Sequence, residues 1–450
     1  MTDQATSTVA EHPATAPAEP GPAAPPPPVP LRRNLRFQAL WAGQASATLG
    51  MMVGDTAFPL LVLALTGSST AAGAFGAVQM ATTLLLGVHG GVVADRLDRR
   101  KVLIASDATR LLALASVPVA MAFGQPSLVH LLLVAAAIGA TVAYSGPIRL
   151  LALRSVVAPE QLPQALAQDE ARMSGAALAG PPLAGFLFGL GRSVPFLGAA
   201  FASLLALTAA FMVRFPSPNQ PEKAREVAEA EENREAGQPA KRAGDGALAG
   251  FRVLAASPLL RPALAVLLVI NLTGAALLLP VMVLLREHGT GSTGIGLALA
   301  GEAVGALAGT ALVSRMHRLA GPGVLLLAVA WTAVPVPLAP LLPGGAPTVF
   351  AALFVVGAGV PALRVMLDLL VIRQVPDELR GRVIAATMTL LTAGMPAGAF
   401  ASGLLLDHLS PATALTAISA VLAAALLPAT ASRTLRRAVW PVTAPASARN

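Results

Sequence analysis

Twelve apolar runs, each long enough to cross a bilayer, occupy most of this 450-residue chain. They fall at roughly 38–66, 70–93, 102–123, 128–152, 168–190, 193–214, 262–285, 292–314, 322–343, 346–372, 382–406 and 411–432. A spanning helix needs about 20 predominantly apolar residues. In hydrocarbon every backbone N–H and C=O must find a partner inside the protein, so each run is predicted to be helical, and the Pro and Gly within several runs are tolerated by packing against neighbours. Only 12% of the residues are charged and 55% are hydrophobic, whereas an ordinary soluble domain is about a quarter charged. A string of water-soluble domains is excluded. The chain reads as an all-α integral membrane protein.

Composition divides the runs six and six. Residues 1–36 open with Ala, Pro, Thr and Glu and a Pro25–Pro28 run, followed by Arg32, Arg33 and Arg36. So few large apolar groups predict a disordered tail. Residues 37–215 hold the first six-helix bundle and 259–432 the second. Between them, 216–258 carries Glu222, Glu226, Glu229, Glu231, Glu232 and Glu235 among Lys, Arg and Gln, the signature of a solvated linker. A basic tail, 433–450, ends the chain. Ala158-Pro159-Glu160-Gln161-Leu162 before run five is echoed by Val375-Pro376-Asp377-Glu378-Leu379 before run eleven, and Arg96-Leu97-Asp98-Arg99 by Arg315-Met316-His317-Arg318. Both echoes fall at corresponding loops, as two parallel copies of one six-helix unit require.

Charge sets the expected orientation. Of the 31 Lys and Arg, Arg192 and Arg286 lie at one side, Arg110 and Arg364 lie within spans, and all the others collect at the opposite side. The positive-inside rule then makes both termini and the central linker cytoplasmic, in a multi-pass protein of the cytoplasmic membrane. The net charge of +8 is accounted for by topology, and no nucleic-acid partner is expected. Cysteine is absent and the six histidines have no paired metal spacing, so no metal and no other cofactor is expected. No Walker A pattern is present to draw on ATP. Neither an Asp-rich diphosphate motif nor a His-Asp constellation suggests an enzyme.

The loop after run two reads Gly91-Val92-Val93-Ala94-Asp95-Arg96-Leu97-Asp98-Arg99-Arg100-Lys101. This resembles the signature of the major facilitator superfamily, through Gly91, Asp95, Arg96, Arg99 and Arg100, with Asp98 standing where the pattern has Gly. The resemblance implies two six-helix bundles that rock around a central site. It also implies a conformational latch in which Asp95 accepts hydrogen bonds from the start of run eleven, near Asp377–Arg382, where a helix dipole favours an anion. The alternative is that the loop cations only fix topology. Leu40-Trp41-Ala42-Gly43-Gln44, Gly54-Asp55, Leu65-Thr66-Gly67-Ser68 and Ser106-Asp107-x-x-Arg110 resemble the multidrug and siderophore exporters related to the enterobactin exporter. Gly180-Pro181-Pro182-x-x-Gly185, preceded by Gly175, is similar to the Gly-Pro motif of antiporters.

An ionisable group at mid-bilayer costs about 3 kcal/mol on insertion scales and so needs a partner or a purpose. Asp55 in run one and Glu302 in run eight lie mid-span with no basic residue within four positions. Either is a candidate proton carrier, held neutral in an apolar setting and ionised when wetted. Structural alternatives stay open: Asp55 satisfying backbone at a Gly-rich break, Glu302 packed neutral against Gly. Asp107 with Arg110 (i, i+3) and Arg364 with Asp368 (i, i+4) are spaced to pair on one helix face, favouring gating ion pairs. The expected function is a secondary active transporter that exports a small, largely apolar compound (drug, natural product or siderophore) by proton antiport and alternating access. An uptake symporter or facilitator on the same fold is the alternative. Its partners would be substrate, protons and lipid, and the chain is expected to act as a monomer.

Overall fold

A computed structural model describes residues 30–96, 98–212, 251–258, 260–319, 321–374 and 377–437. The described residues hold twelve helices long and apolar enough to cross a membrane. In chain order they are α1 (Leu35–Thr66), α2 (Ser69–Arg96), α3 (Arg99–Ala122), α4 (Leu128–Val156), α5 (Leu162–Leu190) and α6 (Val194–Met212), then α7 (Leu260–Glu287), α8 (Ser292–Leu319), α9 (Pro322–Ala333, continued by a 3-10 turn Val336–Leu341), α10 (Ala346–Gln374), α11 (Asp377–His408) and α12 (Pro411–Ala431). The protein is therefore an all-helical, multi-pass membrane protein.

Helix ends follow local chemistry. Asn34 caps α1 by accepting the Phe37 N–H at 3.1 Å, Ser127 caps α4 and Ser410 caps α12, each supplying an oxygen to an otherwise orphaned donor. Gly67 closes α1 at φ 65°, a left-handed conformation that Gly adopts without strain. At the face carrying most basic residues, α1, α5 and α11 begin several residues before their apolar runs do. Their first turns carry polar residues, so hydropathy alone does not report the helix there. Run nine is not one helix: Pro335, Pro337 and Pro340 remove backbone donors and the chain drops into the 3-10 turn.

The two halves repeat one packing scheme. In the first, α1 packs on α5 and α6, and α2 on α4; in the second, α7 packs on α11 and α12, and α8 on α10. The interface uses α2 with α11 and α5 with α8, two pairs that exchange when each helix is replaced by its counterpart six later. Small residues let backbones approach where lipid offers no hydrophobic drive for association. A side chain at Gly301, Gly305 or Gly309 of α8 would collide with the α10 carbonyls of Phe350, Phe354 and Ala358. In the first half Phe58 stacks on Phe75 with ring centroids 4.4 Å apart. The edges of the halves reach into the predicted tails and linker. Leu31 is buried against Phe37 and Leu153, Leu435 is buried beside α9, and within helical 251–256 Leu254 joins the core of the second half.

Candidate functional site

A cavity of about 480 Å³ lies between the halves, within the range of small-molecule sites. From the first half it is lined by Asp55 and Pro59 of α1 and by Phe75, Gln79 and Met80 of α2; from the second by Asn271, Glu302, Met395 and Ser402 among apolar neighbours. Its lining includes both mid-span acids and, among the described residues, no basic residue.

Asp55 is half-buried and accepts a 2.8 Å hydrogen bond from Gln79 Nε2. Pro59, one turn on, has no N–H to offer the Asp55 carbonyl, so α1 is locally unbonded where its acid faces the cavity. Glu302 is exposed to the cavity and has no hydrogen-bond or ion-pair partner among the described residues. Asn271 donates to Leu267 O of its own helix at 2.9 Å, leaving its amide oxygen for an occupant.

Behind Asp55, away from the cavity, lies a buried charge cluster. Asp107 stands 3.6 Å from Arg110 and 3.1 Å from Arg149 of α4, and Arg110 also donates to Thr141 Oγ1 at 3.1 and 3.2 Å. Asp107 thus compensates two cations and ties α3 to α4. Arg149, counted with the basic side in the orientation argument, was missed as a partner because its acid lies on another helix.

The halves close at the face whose loops carry Arg192 and Arg286. There a side chain at Gly185 would overlap the Ser292 carbonyl, and one at Gly296 the carbonyl of Pro181. Gly180 instead abuts Met52 of α1, inside its own half. Across the second seam, Asp407 at the end of α11 accepts the Ser69 and Thr70 N–H groups at 3.2 and 3.3 Å. At the basic face, a 4.0 Å pair between Glu170 of α5 and Arg364 of α10, both about two-thirds exposed, spans the halves. Helix backbones thus meet at one face, while an exposed ion pair bridges the cleft at the other. Arg364 thus meets Glu170 across the cleft; the side chain of Asp368 lies outside the described residues.

So do the side chains of Asp95, Arg96 and Arg99 and the surroundings of Gly91. Of the remaining loop residues, Arg100 donates to Phe211 O at 2.6 Å, fastening α3 to the end of α6. Asp98 caps α3 through the Arg100 N–H at 2.9 Å, in an extended conformation at φ −61° and ψ 114°. The turn needs no left-handed residue here, which accounts physically for Asp in place of Gly.

Gly185→Val is expected to lose more than about tenfold of transport at unchanged membrane abundance, because the neighbouring atom is backbone and cannot step aside. Normal turnover by purified Gly185→Val in liposomes would contradict the close seam.

Two pseudo-symmetric six-helix bundles around a central cavity define a membrane transporter of the major facilitator superfamily. The sequence profile described as transmembrane secretion effector matches residues 27–439, and the chain belongs to that family. Structures similar to it include a D-xylose-proton symporter (TM-score 0.65, 14% identity, 90% of this chain and 97% of that one). A bacterial homologue of the iron transporter ferroportin in its inward-facing state is also similar (TM-score 0.62, 17% identity, 88% and 99%), as is a nucleoside transporter (TM-score 0.65, 14% identity, 88% and 98%). At such identities these likenesses concern the fold. Comparison with curated protein sequences gives no match.

Proposed function

We propose that this transporter is a proton-driven exporter of a small, largely apolar compound, working by alternating access from the cytoplasmic membrane. The observation that carries the reading is the convergence of two carboxylates from opposite halves, Asp55 and Glu302, on one cavity that no described basic residue lines. Such a cavity suits a neutral or cationic cargo, since an anion would be desolvated there without a counter-charge. A drug or natural product fits better than an anionic siderophore. One proton entering down about 100 mV and one pH unit releases about 3.7 kcal/mol, enough for a gradient of several hundredfold in a neutral cargo. A single acid therefore suffices. Asp95, Arg96, Arg99 and Arg100 would act at the basic face when the cavity opens the other way, with Asp95 on the start of α11. The protein needs no cofactor or metal in this reading and acts as a monomer.

The second reading, uptake by symport, is favoured by one observation: a D-xylose-proton symporter shares the fold. Vesicles of both orientations decide between them. With an imposed proton gradient, inverted vesicles are expected to accumulate a lipophilic fluorescent probe and to release it when an uncoupler is added. Accumulation confined to right-side-out vesicles would establish uptake.

Orientation is tested separately. In this cysteine-free chain, a cysteine at Gln125 is expected to react with an impermeant thiol reagent in intact cells. One at Gln238 should react only after permeabilisation, and external labelling there would invert the topology.

A further inference from the structure

We propose that Asp407 is the latch of the closed face, a carboxylate of one half capping a helix of the other, and that it biases the transporter toward the state with the cavity open to the basic side. The inference rests on the alternating-access reading above.

The donors at the start of α2 can be accounted for one by one. The Ser68 N–H goes to Thr66 Oγ1 at 3.1 Å and the Ala71 N–H to Ser68 Oγ at 3.2 Å, so the turn Thr66-Gly67-Ser68 satisfies its own ends. The Ser69 and Thr70 N–H groups have no such local acceptor, and a helix's first N–H groups have none within the helix. Both are taken by one oxygen, Asp407 Oδ1, from the other half of the protein. The short connection between α1 and α2 is thereby completed only while the halves touch.

Neighbouring contacts fix the register. Gly403 lies one turn before Asp407, and a Cβ there would stand 2.5 Å from the Ser69 carbonyl. Gly73, one turn into α2, has the equivalent relation to the Ala399 carbonyl at 2.6 Å. The two helices meet backbone to backbone, which delivers the carboxylate to the end of α2, where the helix dipole favours a negative charge. The related seam of α5 with α8 shows no such device among the described residues. At the end of α5 stands Gly189, where an added Cβ would merely approach Ser292 Oγ at 3.3 Å. Among the described residues the closed face therefore has one acid fastening, on one of its two seams.

When the halves part at this face, water replaces Asp407 at both donors, so the bias is that of a helix cap. Removing it is expected to shift the equilibrium about threefold to tenfold, the effect of losing one cap.

The test uses a single cysteine in place of Met80, a cavity-lining residue, in the otherwise cysteine-free chain. An impermeant cationic methanethiosulfonate is applied to vesicles of each orientation. Asp407→Ala should raise the labelling rate from the closed face by about threefold to tenfold and lower it from the basic face. Asp407→Asn, which keeps an acceptor and caps helices about as well as Asp, should stay within about twofold of the parent. Ser69→Pro removes one donor at the first helical position, where Pro is tolerated. It should shift labelling in the same direction as Asp407→Ala and add little to it in the double variant.

Unchanged labelling in Asp407→Ala, an equal shift in Asp407→Asn, or full additivity with Ser69→Pro would overturn the latch. Gly185→Val separates this failure from failure of the underlying reading. If it too leaves Met80→Cys reactive from the basic face alone, alternating access itself fails; if it shifts labelling while Asp407→Ala does not, only the latch falls.

Discussion

Asp55→Asn is expected to abolish proton-driven accumulation, a loss of the whole gradient of about several hundredfold that one proton can sustain, while downhill exchange of the same compound continues. The substitution removes the exchangeable proton but keeps an amide oxygen that can still accept from Gln79 Nε2, now at 2.8 Å from Asp55, so the shape of the cavity is preserved. Parallel uptake assays in inverted vesicles, one with a pH gradient and one with a substrate gradient alone, read the two activities separately. Loss of both would make Asp55 a binding residue; retention of both would move coupling to Glu302. Glu302→Gln serves as the comparison because no partner holds Glu302 among the described residues. Its loss should alter affinity for cationic probes more than for neutral ones.

Asp107→Ala is expected to be the most destabilising single substitution away from the cavity, at about 3–5 kcal/mol, the range for stripping one partner from a buried charge set. Arg110 is 2% exposed, and both it and Arg149 rely on the Asp107 carboxylate. Thermal unfolding in detergent, followed by loss of the monodisperse peak, measures the effect. Replacing Arg149 by Met should cost less, since Asp107 then keeps Arg110. An Asp107→Ala protein as stable as the parent would mean that water, not the carboxylate, compensates the two arginines.

The architecture was legible because hydropathy and charge act over long stretches: length and apolarity give the helices, and the linker divides them. Asp55 and Glu302 were legible as candidates for the same reason, since an acid surrounded by Ala, Gly and Leu stands out along one dimension. Partnerships were not. Spacing along a single helix suggested Arg364 with Asp368, whose side chain lies outside the described residues, and gave no sign of Glu170 on a helix of the other half, which Arg364 meets. The same local bias paired Asp107 with Arg110 and passed over Arg149, 42 positions away. Asp407 was missed because it sits at a helix end, where an acid is unremarkable in sequence. Its meaning depends on the start of a helix 338 residues earlier. An acid placed on the first turn of a helix from the other half was anticipated for Asp95; the described residues display that device at the opposite face.

The glycine seam between α8 and α10 has a mechanical consequence. With Gly301, Gly305 and Gly309 against α10 carbonyls, and Gly357 against the carbonyl of Glu302 itself, no layer of side chains remains between the two backbones to shear. So close a contact favours tilting of the pair as one beam over sliding. Glu302 sits on it at the cavity and Arg364 at the exposed rim facing Glu170, so a tilt of the beam that repositions one must carry the other with it. In the transport reading proposed above, cargo arriving at the centre would then have a lever on the ion pair that bridges the cleft.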